Sequence, residues 1–240
     1  MNAVSPIRYS AKTHVGLKRK VNEDAVLALP DRNIWVVSDG MGGHDAGDYA
    51  SQLVADSVAT IPGGLDPTER MHALRQAIQS AHAMILQEAE ARGRGVIGAT
   101  VASLMLANGH FVGIWAGDSR IYRLREGLVD MLTTDHSAVA ELVLAGQLTW
   151  DEAELHPHSN AITRAVGVGD DLELGKIRGE TQPGDRFLIC SDGLTKYATF
   201  SILQDMLGRL PIETVSDSLI QLALDGGGAD NISVIVVDVL

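Results

Sequence analysis

Residues 101–116 read VASLMLANGHFVGIWA, two apolar runs on either side of Asn108-Gly109. Asn-Gly supplies the two positive-φ residues that a type I′ hairpin turn needs, so Val101–Ala107 and Phe111–Ala116 are expected as antiparallel neighbours in a sheet. Working outward, further short runs rich in β-branched residues occur at Ala25–Leu29, Ile34–Val37, Ile121–Leu124, Arg186–Cys190 and Ile232–Val239, and these read as strands. Helical signals lie between them. Gly47–Ile61 follows a Gly-rich turn, and Asp66–Arg92 opens on Asp66-Pro67-Thr68-Glu69, an N-cap acid, a proline at N1 and a capping-box glutamate at N3. Met71, Leu74, Ile78, Ala81 and Ile85 then recur at three and four residues, which predicts one apolar stripe. Shorter helices are expected near Ala138–Ala145 and Ile212–Leu224. The order is that of an α+β fold with antiparallel sheets and helices packed outside them. No stretch reads as a linker and no fixed period repeats, so 1–240 is expected to be a single domain, with Ser137–Val168 a less regular excursion beside its core.

The chain has 240 residues, with 19 Lys+Arg against 31 Asp+Glu and a formal net charge of −12. That balance disfavours nucleic-acid and anionic-membrane binding, which need a basic face. Hydrophobic residues make up 45% and aromatics only 4%, so a sizeable core must be built from aliphatic side chains. The single cysteine, Cys190, excludes an internal disulfide and, lying in a strand, reads as a small buried apolar residue. MNAVSPIRYSAKTHVG lacks the apolar centre of a signal peptide, and no run approaches the roughly 18 residues that span a bilayer. A cytoplasmic globular protein is expected.

The chemistry-bearing signal is a repeated device. WVVSDG places Asp39 and Gly40 at the end of an apolar strand, and FLICSDG does the same with Asp192 and Gly193. FVGIWAGDS ends at Asp118, and Ala229-Asp230-Asn231 precedes ISVIVV. Singly, each is an ordinary turn after a strand. If the strand ends converge, four carboxylates meet in a partly buried place, which is costly unless cations compensate. An all-oxygen donor set suits Mg²⁺ or Mn²⁺, whereas Zn²⁺ would favour His or Cys, which are not spaced as ligands here. Near the N-terminus, GLKRKVNEDA puts Arg19 shortly before Glu23 and Asp24. This is either a solvated charged turn or a phosphate-facing guanidinium beside acids that join the metal site directly or through water. Metals next to an arginine form a layout for phosphoryl chemistry.

In order along the chain, GLKRKVNEDA, VSDGMGGHDAG, GATVASL, AGDSRIY, LTTDHS, ICSDGLT and GADNISVIVV resemble the metal-dependent Ser/Thr protein phosphatases, the PPM or type 2C family, in its bacterial branch. A weaker similarity is to bacterial phosphatases paired with kinases that control type VI secretion. The resemblance implies a β-sandwich of two antiparallel sheets flanked by helices in four αββα layers, a metal cleft at one end, and a flap at about 137–168 beside it. It further implies that Asp39 bridges two metals with the Gly40 carbonyl on one of them, and that Asp192 and Asp230 hold the other. Asp118 with Asp192 would hold a third, weaker ion. Glu23 and Asp24 would act on metal-bound waters, Arg19 would contact the substrate phosphate, and Asn231, with Gly193, would support the turn at Asp230. Eukaryotic members place a His directly after the metal-binding Asp-Gly. Met41 stands there in this chain, leaving His44 as proton donor or substrate contact, or else as a plain loop residue.

The implied activity is hydrolysis of phosphoserine and phosphothreonine in proteins by a hydroxide bridging two Mn²⁺ or Mg²⁺ ions, without a phospho-enzyme, reversing a Ser/Thr kinase. The alternatives are a phosphohydrolase of small esters and a non-catalytic phosphoprotein-binding scaffold. A scaffold would be expected to lack a metal ligand, and every expected acid is present. The family-like oligomeric state is a monomer.

Overall fold

The computed structural model describes residues 7–42, 46–93 and 95–240. The strands are β1 (Ile7–His14), β2 (Asp24–Leu29), β3 (Ile34–Met41), β4 (Gly98–Ala99), β5 (Val101–Ala107), β6 (His110–Ala116), β7 (Arg120–Arg125), β8 (Leu128–Met131), β9 (Gly175–Glu180), β10 (Arg186–Cys190) and β11 (Ile232–Val239). The helices are α1 (Ala46–Ala59), α2 (Pro67–Ala91), α3 (Ala140–Leu144), α4 (Trp150–Ala153), α5 (Asp192–Thr195), α6 (Phe200–Arg209) and α7 (Ile212–Asp225).

The strands form two antiparallel sheets. One runs β1-β11-β10-β7-β8 and the other β2-β3-β5-β6-β9, with β4 paired to β3. The β5–β6 hairpin closes through Asn108 at φ 50° and Gly109 at φ 75°, the left-handed pair that Asn-Gly accommodates without strain. Trp35, Val37, Leu104, Phe111, Ile121, Phe187, Ile189, Ile235 and Val237 interdigitate between the sheets. The opposite face of β3, β5 and β6 packs on α1 and α2, where Leu74, Ile78, Ala81 and Ile85 of the predicted stripe are fully buried and Met71, its first member, is partly buried. On the other side α6 and α7 cover β7, β10 and β11. These are the four layers.

α2 begins as its sequence dictates: Asp66 accepts from the Thr68 and Glu69 amides, Glu69 reaches back to the Asp66 amide, and Pro67 fills N1. The 137–168 segment carries α3 and α4. It is tied at both ends, by the Ser137–Ile162 bridge and by the Ala99–Val166 bridge to the end of β4. Among the described residues no helix is long and apolar enough to cross a membrane.

Candidate active site

The acids predicted at strand ends are brought to one end of the sandwich by a lattice of short hydrogen bonds. Ser38 Oγ donates to the Thr100 carbonyl at 2.6 Å, the Asp39 amide donates to Thr100 Oγ1 at 2.9 Å, and the Thr100 amide donates to the Asp39 carbonyl at 2.8 Å. Thr100 Oγ1 also shares a 2.7 Å bond with Ser119 Oγ, so the turn bearing Asp118 is fastened to the strand bearing Asp39. Asp24 stands opposite Asp39 in the β2–β3 register. Its Oδ2 accepts from Ser191 Oγ at 2.8 Å, which brings β2 beside Asp192. Here the two sheets meet through polar atoms.

Asn231 organises the other rim. Its Nδ2 donates to the Val15 and Val21 carbonyls at 2.9 and 3.0 Å, and its Oδ1 accepts from the Glu23 amide at 2.8 Å. The loop carrying Arg19 is thereby clasped to the turn carrying Asp230, and the Asn231 amide donates to Asp230 Oδ1 at 3.0 Å. Gly193 permits this approach, because a methyl there would run into the Asn231 carbonyl. Gly40 is similarly enclosed by the Gly47 and Glu23 carbonyls, so its backbone packs where no side chain fits.

The electrostatics follow from crowding. Burial pushes the Asp24 carboxyl up to about 7, with hydrogen bonds from Ser233 and Ser191 opposing and the charges of Asp192 and Asp230 adding. Burial likewise raises Asp39 well above the usual carboxylate range, reinforced by Asp24, Asp192, Asp118 and Asp230. Asp118 is raised by burial and by Asp192 and Asp135, against Arg120. Asp230 goes the other way: burial would raise it, but the Arg19 hydrogen bond and the charges of Lys196 and Arg19 outweigh that and hold it below its ordinary value.

Arg19 grips Asp230 as a fork, Nε to Oδ1 at 2.8 Å and Nη2 to Oδ2 at 3.0 Å, with its side chain 49% exposed at the mouth. Lys196 lies one helical turn past Asp192 and spans Asp192 Oδ2 at 2.7 Å and Asp230 Oδ2 at 3.2 Å. These cations hold the two acids, and among the described residues no three His, Cys, Asp or Glu side chains already form a coordinating group. The donor chemistry nonetheless fits a hard divalent ion. It is all oxygen, and the buried Asp24 Oδ1 and Asp192 Oδ1 have no hydrogen-bond partner, an arrangement that calls for a cation.

Behind Asp118 lies a second ionic centre. Buried Arg120 makes a fork to Asp135, Nη2 to Oδ2 at 2.7 Å, reaches Glu154 of the α4 turn at 2.8 Å, and stacks over the Trp150 ring at 5.2 Å. Asp118, Asp192, Asp135 and Glu154 line one small cavity, so the flap seats on the core beside two of the candidate ligands. His136 stacks on Trp115 and accepts from the Gly117 amide at 3.2 Å, and burial and Arg164 pull it down to about 4; with Ser137 it forms the flap base. Cys190 is buried, which pushes its thiol up and leaves it unreactive.

Arg19, Glu23, Asp24, Asp39, Gly40, Asp118, Asp192, Gly193, Asp230 and Asn231 thus border one region, while His44 lies outside the described residues. Asp24 is buried at the start of β2, and a solvated turn is excluded for it. Sequence reasoning missed Lys196, Ser191, Thr100 and the Arg120–Glu154 pair. Of these, Lys196 had a signal, a lysine four residues after Asp192.

The family model for protein phosphatase 2C matches residues 16–224. The chain belongs to the protein phosphatase 2C family. It is 37% identical over 239 residues to the serine/threonine protein phosphatase PstP of Mycobacterium tuberculosis, covering 98% of this chain and 45% of PstP, so it spans about half the length of that relative. It is 35% identical to protein phosphatase PhpP of Streptococcus pneumoniae, covering 95% of this chain and 96% of PhpP. Among solved structures it resembles PppA, a key regulatory component of the type VI secretion system in Pseudomonas aeruginosa, with a TM-score of 0.91 and 43% identity over 99% of both chains. The catalytic domain of PstP, solved in complex with two manganese ions, is similar at a TM-score of 0.84 and 34% identity over 98% of both chains. The 2C fold is therefore shared across essentially the whole chain.

Proposed function

We propose that this chain is a single catalytic domain that removes phosphate from phosphoserine and phosphothreonine in proteins, with Mn²⁺ or Mg²⁺ as cofactor, and so opposes a Ser/Thr kinase. The observation that carries this reading is the meeting of Asp24, Asp39, Asp118, Asp192 and Asp230, drawn from both sheets, next to the forked guanidinium of Arg19.

Asp39, with the Gly40 carbonyl, and Asp192 with Asp230 would hold two ions; Asp118 with Asp192 would hold a third more weakly. Bound there, the ions would supply positive charge and an acidified water. Arg19 offers a planar two-donor fork that suits the equatorial oxygens of a phosphoryl group. Asp24, held by Ser191 and facing Asp39, and Glu23, anchored through its amide to Asn231, orient water and ligands from behind. His44, four residues after Gly40 in the sequence, is the proposed proton donor to the leaving oxygen. The 137–168 flap, latched by Glu154, bounds the cleft where a peptide would lie. The likeness to PppA makes control of a type VI secretion apparatus the first pathway to test, in the cytoplasm and as a monomer.

Phosphate release from phosphothreonine and phosphoserine peptides, compared with nucleotides and sugar phosphates, tests the reading. Turnover of the peptides that stops with chelator and returns with Mn²⁺ supports it. Preferential turnover of the small esters would replace the substrate class, and peptide turnover that survives excess chelator would remove the metal.

A further inference from the structure

α1 and α2 cover the outer face of β3, β5 and β6 but leave β9 at the sheet edge uncovered. Between the start of α2 and β9 lies a groove of about 460 Å³. Its apolar surface includes Met71, Met105 and Val112, and its outer rim is Lys176 and Arg178, which stand across the ladder from Ile114 and Val112 and are both exposed.

The charge of this groove is opposite to that of the molecule. The chain carries −12 overall, yet among the described residues no carboxylate lines the groove. Most described arginines are committed to carboxylates or carbonyls, as Arg120, Arg125, Arg164 and Arg186 are, but Lys176 and Arg178 have no such partner among the described residues. Arg75, one turn beyond Met71 on α2, is exposed and equally uncommitted. Of the nearby acids, Asp66 caps α2 and Glu173 pairs with Arg164, while Glu180 at the end of β9, across the ladder from His110, has the charge of Arg125 near it.

We propose that this groove docks an acidic peptide segment of a protein partner, its carboxylates on Lys176, Arg178 and Arg75 and its apolar side chains on Met71, Met105 and Val112. Met71, partly buried beside the buried Met105, gives an apolar wall that adapts to different side chains, and the cationic rim selects acidic over basic segments. A nucleic acid fits poorly, since the floor is apolar and the rest of the surface repels a polyanion. β6 runs from His110 beside the groove to Ala116 just before Asp118, roughly 20 Å at the rise of a strand. A segment held in the groove would therefore keep a phosphorylated residue on the same chain at high local concentration near the cleft. Docking itself does not depend on the catalytic reading; this kinetic consequence does.

The test is fluorescence anisotropy of the metal-free protein with a short fluorescein-labelled peptide of glutamate, leucine and phenylalanine, at physiological salt. The wild type is expected to bind, Lys176→Glu/Arg178→Glu to weaken binding by about tenfold or more, Met71→Asp to weaken it as well, and the probe with lysine in place of glutamate not to bind. The milder Lys176→Gln/Arg178→Gln pair, expected to lie between, guards against misfolding, and unchanged hydrolysis of a small aryl phosphate shows that the cleft is intact. Equal binding of the acidic probe by wild type and the charge-reversed variant, no binding by the wild type, or equal binding of the lysine probe would overturn the proposal. Failure of aryl phosphate hydrolysis in the wild type would instead count against the catalytic reading.

Discussion

Asp24 and Asp39 face each other across the β2–β3 ladder, and Asp24 Oδ1 is buried without a partner. Like charges directly opposed in a sheet destabilise it, and burial sharpens the effect. Because burial and neighbouring acids raise Asp24, Asp39 and Asp118, the folded protein keeps protons there that the unfolded chain releases. Stability of the metal-free protein is then full at low pH and falls as pH rises from about 4, the usual carboxylate value, to about 7 for Asp24. Asp230 has the opposite sign, but its lowered value acts below this window; His136, lowered to about 4, opposes the decline within it, and the three raised aspartates outweigh that single group. Thermal unfolding of chelator-treated protein should show a melting temperature that declines across the window, and Mn²⁺ should flatten the decline. A melting temperature that rises with pH there would contradict the account.

Lys196 neutralises Asp192 and Asp230 from within the cleft, so it competes for the oxygens that a divalent ion would use. Lys196→Met should tighten Mn²⁺ binding by about tenfold in calorimetry while lowering the melting temperature of the metal-free protein. Weaker Mn²⁺ binding in the variant would show that the ammonium supports the ion.

The hairpin at Val101–Ala116 and the α2 stripe were legible because Asn-Gly and a period near 3.6 are local signals. β1 was not, since IRYSAKTH is half exposed and carries no apolar run. β9 was hidden by GKIRGE, whose glycines leave room for the Trp115 and Phe111 rings. α6 went unread although Thr199 caps it and Leu203 and Leu207 form its buried side. At the site, the acids were legible because each follows or precedes an apolar strand. Ser191 to Asp24 and Arg120 to Glu154 span 167 and 34 residues of chain, and only the packing of the two sheets and the flap brings them together.

Arg120 is buried between Asp135 and Glu154. Asp135→Ala leaves the guanidinium with Glu154 as its one charged partner, beside the Tyr122 hydroxyl and the Trp150 ring, and should cost about 3–5 kcal/mol in denaturant unfolding. Glu154→Gln should cost less and act locally, raising amide exchange over 137–168 with little change in β10 and β11. Uniform exchange throughout the chain would deny Glu154 its latch role.

Gly193 abuts the Asn231 carbonyl, whereas nothing lies within 4 Å of the side-chain position at Gly63. Gly193→Ala should destabilise by about 1–3 kcal/mol and loosen the Asp230 turn, and Gly63→Ala should change stability by less than about 0.5 kcal/mol. Equal effects in chemical unfolding would mean that the α5–β11 approach is not tight.

The proposed site for divalent ions joins carboxylates from both sheets. Isothermal titration of chelator-stripped protein with Mn²⁺ tests it most directly, comparing wild type with Asp39→Asn. The wild type should take up two ions tightly, and Asp39→Asn should lose tight binding, because the Asp39 carboxylate, facing Asp24 and close to Asp192, Asp118 and Asp230, would contribute to the whole site. Unchanged stoichiometry and affinity in Asp39→Asn would contradict the account.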